Sequence, residues 1–157
     1  MDAAIREQLG SMTCLAELPA TTLDRLAELA RSEEYPVGHL LFREGGHNAM
    51  LYFICQGAVT LEMCVPGRGC MNLLTLGPGD LVAWSALLGS GVMTTGAHVV
   101  EPGRLLALDG GAVLALCEAD HELGYHLMRR VALSLSNRLV ATRLQLLDLF
   151  STESATK

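Results

Sequence analysis

The chain has 157 residues, half of them apolar and 18% charged, and carries a net charge of −6. That length suits one domain with a core large enough to stand without staples, and the composition excludes a wholly disordered chain. With 11 Lys and Arg against 17 Asp and Glu, and only 4% aromatics, the chain is a poor candidate for autonomous duplex binding or for a single-strand stacking platform.

The N-terminus, MDAAIREQLG, lacks the basic start and apolar run of a signal peptide. Residues 4–31 read as a short helical turn and then one clear helix in PATTLDRLAELARSEE. Leu23, Leu26 and Leu29 recur there at a spacing of three, Thr21 or Thr22 can cap the start, and Asp24 falls in the first turn. Glycine then draws the map. Fourteen of the sixteen glycines lie between Gly38 and Gly111, and glycine is costly inside helices.

This middle predicts strands near 39–42, 50–55, 58–65, 70–76, 92–100 and 104–108. Turns are expected at GG (45–46), QG (56–57), PGRG (66–69), GPGD (77–80), GSG (89–91) and PG (102–103). One helical turn, WSALL at 84–88, interrupts them. The longest stretch without a formal charge, 81–100, carries Ser85, Ser90, Thr94, Thr95 and His98 and is no membrane span.

After the turn at Asp109–Gly111 comes a short apolar helix (112–119), then one long pattern from about Asp120 to Phe150. Leu123, Leu127, Val131, Leu135, Leu139, Thr142, Leu146 and Phe150 form one stripe; Met128, Ala132, Val140, Leu144 and Leu147 form a second. Such a helix outreaches a small β domain and must hide its second face elsewhere. The simplest partner is a second copy, so a homodimer is expected through Leu127, Val131, Leu135, Leu139 and Leu146.

The fold class expected is mainly β with flanking helices, an eight-stranded, jelly-roll-like β-roll. N-terminal helices would span 1–33, the roll 34–109 and the C-terminal helices 110–150, all in one domain.

Cys14, Cys55, Cys64, Cys70 and Cys117 are scattered and odd in number, with no C-x-x-C, and read as thiols in a reducing cytosol. Cys64 and Cys70 flank the PGRG turn and could face each other across a hairpin, which in the cytosol would be incidental. The five histidines show no H-x-H, and His121 and His126 sit five apart, so no metal site is expected. G-x-S-x-G and GxGxxG are absent, and EGGHN (44–48) reads as a turn rather than a phosphate loop. An enzyme is therefore not expected.

Taken together, LAELARSEEYPVGHLLFREGGHNAMLYFICQGAVTLEM, LGPGD and NRLVATRLQLL resemble the cyclic-nucleotide-binding domain family, in particular the effector half of catabolite-activator/FNR-class regulators. Gly38, Tyr52, Ile54, Gly57 and Val59 match that family's opening hairpins. The resemblance implies a cytoplasmic sensor that binds a small effector, a cyclic nucleotide or a related molecule, with no other cofactor. The net charge of −6 and the polar residues of 81–100 give the separate expectation of no direct contact with DNA or membrane. It also implies a downstream protein partner that the sequence does not name.

The family's phosphate cassette corresponds to residues 79–97. Its usual G-E-x-A-L-L uses Glu for the ribose hydroxyl, and an Arg nine or ten residues later for the phosphate. Here Trp84 holds the Glu position, and Met93 or Thr94 the Arg position, with Thr95 in the small position after it. Ala86, Leu87 and Leu88 keep the A-L-L turn, and Thr142 matches the helix Thr that reaches the base. No Lys or Arg occurs from Gly69 to Gly103, where His98 is the one possible cation. The expected phosphate contacts are therefore the amides at 86–88, the hydroxyls of Ser85, Thr94 and Thr95, and a charge from Arg143. Trp84 either closes over a ligand or plugs the pocket. The alternative function is a structural or interaction protein with a vestigial pocket.

Overall fold

Two long strands carry the sheet, β3 (Met50–Val65) and β6 (Gly96–Asp109), paired antiparallel along most of their length. In this computed structural model, residues 3–12 and 15–154 are described, with side chains as far as Gln145 and at Leu147. Cys14 and the side chains of Leu146 and Phe150, named above, lie outside the described residues.

Both long strands turn where the sequence places QG and PG. The β3–β6 register shifts on either side of Gly57, which sits at φ +84° against Pro102 and Gly103. Residues 50–56 of β3 pair with 104–109, and 58–62 with 96–101. Each long strand thus works as two segments. β1 (Ala30–Tyr35), β2 (Leu40–Phe42) and β5 (Leu81–Val82) pair with these strands, and β4 (Gly69–Leu76) lies beside β3. Counted by segments, the roll has the eight strands expected.

Alternation along β3 and β6 sorts side chains into two cores. Leu51, Phe53, Leu106 and Leu108 face the helices; Tyr52, Ile54, Leu105 and Ala107 fill the roll with Val59, Val82, Met93 and Val99. The helices α1 (Ala3–Ser11), α2 (Ala20–Leu29), α4 (Gly110–Ala119) and α5 (His121–Ser154) close over the first core.

The N-terminal expectations need three corrections. Thr21 and Thr22 do not cap α2; Pro19 holds that place, and the Thr22 hydroxyl donates instead to Asp120 Oδ2 at 3.0 Å. Asp24 lies beyond the first turn and pairs with Arg6. The helix ends at Leu29, and ARSEEY forms an edge strand on β6. Its charges suit an edge, and they hide the apolar alternation that marks a strand.

The expected thiols at Cys64 and Cys70 are also corrected. The two residues stand opposite each other in the β3–β4 register and are joined by a disulfide. Cys55 and Cys117 are free thiols, and burial pushes both upward in pKa.

α5 has 34 residues and is about 51 Å long. Its first half is spent within the chain. Leu127 and Val131 are fully buried in the helix-side core, and Leu135 packs against it, so these three do not form an outer seam. Leu139 is exposed, together with Leu133, Val140 and Leu144. The outward face mixes the two stripes read from the sequence: Val140 and Leu144 of the second are exposed with Leu139 of the first, while Met128 of the second packs on the helix-side core.

Asp120 joins the two halves of the helical layer. Its Oδ1 accepts the Leu123 amide at 3.1 Å, capping α5; Oδ2 accepts Thr22 and lies 3.8 Å from Arg25. The Leu123 amide first, then the Thr22 hydroxyl and the Arg25 charge, hold its carboxyl below the usual range. A depressed folded-state pKa stabilises fully above the unfolded value of about 3.9, and that stability is lost as pH falls through the folded value. Wild type should therefore lose more urea stability than Asp120→Asn between about pH 5 and about pH 3. Equal losses would remove Asp120 from this role.

Candidate functional site

The GPGD corner is held by its own side chain and by β3. Asp80 Oδ2 accepts the Gly77 amide at 3.0 Å, Gly79 N–H donates to Ile54 O at 2.8 Å, and Ile54 N–H donates to Asp80 O at 3.1 Å. β5 follows, paired to Tyr52 and Phe53. Then Ala83 takes φ +66°, the one non-glycine residue in the left-handed region among the described residues. A Cβ there costs about 1–2 kcal/mol, and such a residue persists only where its surroundings fix it. This is the position of the glycine in G-E-x-A-L-L. Ala83→Gly should raise the melting temperature by roughly 2–4 °C per kcal/mol of relieved strain, read by calorimetry; an unchanged or lower value would show that no strain is held there.

The helical turn α3 (Ser85–Leu88) comes next. Its amides at 86–88, expected to meet a phosphate, are used internally. Ala86 donates to Ala83 O, and Leu87 and Leu88 both donate to Trp84 O, at 3.0–3.1 Å. Ser85 and Leu87 are buried, and Leu88 is exposed. Trp84 is half-buried and packs on the helix-side core rather than in the core that fills the roll. The first residue of α4 lies directly on this turn: a Cβ at Gly110 would stand 2.3 Å from Ala86 O.

The far end of the cassette is held by the EGGHN turn. Gly45 N–H donates to Met93 O, Met93 N–H to Gly46 O and Asn48 N–H to Gly91 O, at 2.8–2.9 Å. Met93 is buried in the roll core, so its part here is packing. Thr94 is exposed and Thr95 half-buried.

Cations reach this region from elsewhere in the chain. His98 Nδ1 lies 3.5 Å from Glu62 Oε2. Arg143 and Thr142 are exposed on α5, and the Thr142 hydroxyl donates to Arg138 O at 2.9 Å, its own helix backbone. The helix side chains that hold the corner and the strands on either side of it are others. Arg130 Nη2 donates to Gly79 O at 2.5 Å and lies 3.6 Å from Asp80; Arg138 Nη2 donates to Leu81 O at 2.8 Å; Gln145 Nε2 donates to Leu73 O at 2.7 Å.

Both arginines line a cavity of about 170 Å³ between β4, the corner and α5, with Thr75, Asp80 and Ser134. Each keeps a buried Nε without a hydrogen-bond partner. Burial pulls the Arg138 guanidinium below the usual arginine range, with Asp80 opposing.

The sequence reading missed Arg130 and Arg138 because it sought cations near the cassette in the chain. The available signal was their spacing of eight, which sets them on the side of α5 that carries the buried Leu127 and Val131. Among the described residues no three His, Cys, Asp or Glu side chains gather into a metal site, and no helix is long and apolar enough to cross a membrane.

Comparison with known proteins agrees with this fold. The CRP-like cAMP-activated global transcriptional regulator of Mycobacterium tuberculosis is 31% identical over 121 residues, 76% of this chain and 52% of the regulator. The chain thus spans about half the length of the curated relatives it matches. The catabolite activator protein of Thermus thermophilus is 31% identical with a TM-score of 0.69, over 90% of this chain and 64% of that one. A cyclic nucleotide-binding domain from Methylobacillus flagellatus shares the fold at a TM-score of 0.76 and 19% identity, over 92% and 81% of the two chains.

No DNA-binding domain is present among the described residues, where α5 is the last element. The sequence profile for the cyclic nucleotide-binding domain matches residues 32–120. That profile describes a regulatory nucleotide-binding module, not an enzyme. The chain belongs to the cyclic nucleotide-binding domain family.

Proposed function

We propose that this chain is a dimeric, cytoplasmic sensor module that binds a small cyclic-nucleotide-type effector against the cassette and passes the change to a partner protein through α5. The carrying observation is Ala83. The left-handed turn that opens the cassette persists without its glycine, at a conformational cost, beneath a helix whose arginines hold the same segment. The related regulator of M. tuberculosis is cAMP-activated, which favours cAMP as the first effector to test.

Binding to wild type is expected to be weaker than low micromolar, because no cassette side chain supplies the phosphate's counter-charge. Thr94 is exposed, so Thr94→Arg adds a guanidinium without burying it. That change should tighten cAMP binding roughly ten- to a hundredfold, the value of a hydrogen bond to a charged group. Trp84→Glu, the other family residue, would put a charge onto the helix-side core and lower stability. Calorimetric titration of wild type and Thr94→Arg is the test.

A second reading is supported by Met93 filling the roll and by the internal use of the amides at 86–88. On that reading the pocket is vestigial and the chain acts by interaction alone. Absence of heat and of any thermal shift with cyclic mono- and dinucleotides, in both proteins, would decide for it.

For the dimer, the outward stripe of Leu133, Val140 and Leu144, spaced seven and four apart and flanked by Leu139, suits a second copy of the same helix. Val140→Glu with Leu144→Glu should give monomers in sedimentation; a monomeric wild type at micromolar concentration would end the proposal. The net charge of −6 opposes DNA binding by this chain alone.

A further inference from the structure

We propose that Cys64 and Cys70 form a reversible thiol–disulfide exchange site whose state reaches the cassette through Glu44. The two residues are directly opposite each other at the end of the β3–β4 hairpin, both exposed, and joined by a disulfide. They line a groove of about 320 Å³ with Arg43, Glu44 and Glu62, so an external thiol can approach the bond.

The link inward is continuous. Cys64 N–H donates to Glu44 Oε2 at 2.9 Å. Glu44 adjoins Gly45 and Gly46, whose amide and carbonyl hold the backbone of Met93 at the end of the cassette. The free thiols at Cys55 and Cys117 are pushed upward in pKa by burial and are poor nucleophiles for internal exchange.

The exchange partner is a dithiol reductant. Its thiolate attacks one sulfur and breaks the S–S bond to form a mixed disulfide. Its second thiolate then displaces the remaining sulfur. Cys64 and Cys70 take up two electrons and two protons and leave as thiols; the reductant leaves as a disulfide. Glutathione disulfide reverses the step by taking back the two electrons. Opening the bond frees the tip of the hairpin at residues 64–70, loosens the hold of Glu44, and lets the 45–46 turn release Met93.

Trypsin cuts after Arg68, between the two cysteines. Protein equilibrated with glutathione disulfide and then alkylated should give peptides 44–68 and 69–104 joined. After dithiothreitol, without denaturant, it should give them separate and alkylated at Cys64 and Cys70. Cys55→Ser must leave the cross-link intact. Without nucleotide, reduction should speed amide exchange at Gly45, Cys64 and Met93 by ~tenfold. Cys64→Ser with Cys70→Ser should show the fast exchange in both buffers. A pair that never closes, a bond that opens only in denaturant, a cross-link lost in Cys55→Ser, or equal exchange at Gly45 and Met93 in both states overturns the proposal. None of these readouts depends on effector binding.

Discussion

Gly57→Ala is expected to lower the melting temperature by roughly 10 °C. At φ +84°, an alanine costs about 1–2 kcal/mol in backbone conformation alone. Its Cβ would also lie 2.5 Å from Pro102 O, 2.6 Å from Gly103 Cα and 2.8 Å from Glu101 O. All three are backbone atoms and cannot rotate aside, so overpacking adds about 1–3 kcal/mol. The total is a sizeable part of the 5–15 kcal/mol that holds a typical domain together. Gly67→Ala is the control. It shares a positive φ, +79°, but a Cβ there meets nothing within 4 Å, so only the conformational part remains. If both variants melt together, the close crossing of β3 over the Pro102–Gly103 bend does not set the stability of the roll.

That crossing was legible in the sequence because glycine and proline mark it. QG and PG appear as punctuation, and the family pattern around Tyr52, Ile54, Gly57 and Val59 gives their order. The helical turn at 84–88 and the long terminal helix were legible for the same reason: each rests on a local signal. What the sequence hid depends on tertiary partners. ARSEEY shows too little apolar alternation to mark a strand until β6 lies beside it.

The stripe on α5 was visible, but the face that the chain keeps for itself was not. Leu127 and Val131 belong to the inward face, Val140 and Leu144 to the outward one, and periodicity treats both alike. At the site, the absence of Lys and Arg from Gly69 to Gly103 could be read directly from the sequence. The hold of helix arginines on the GPGD corner could not, because about fifty residues separate Arg130 and Arg138 from the carbonyls they donate to. The Cys64–Cys70 register was foreseen as a possibility; the bond itself depends on the hairpin closing with no slip between Glu62 and Val65.

Arg138 is where fold and function are expected to separate by experiment. Its guanidinium is mostly withdrawn from water, donates to Leu81 O at 2.8 Å, and keeps a buried Nε unpaired beside the cavity under the corner. Arg138→Met removes a charged hydrogen bond and strands the Leu81 carbonyl, a loss of about 1.5–3 kcal/mol, or roughly 4–10 °C in melting temperature. If the same charge also faces the effector's phosphate, cAMP affinity falls by about ten- to a hundredfold as well. Arg138→Lys separates the two roles. It keeps the positive charge but loses the planar fork, so it should retain much of the affinity while recovering only part of the stability. Melting curves and calorimetric titrations on wild type, Arg138→Met and Arg138→Lys read both quantities. A stability loss in Arg138→Met with unchanged cAMP affinity would leave Arg138 as a clamp between α5 and the corner, and the effector's counter-charge would then have to come from another residue.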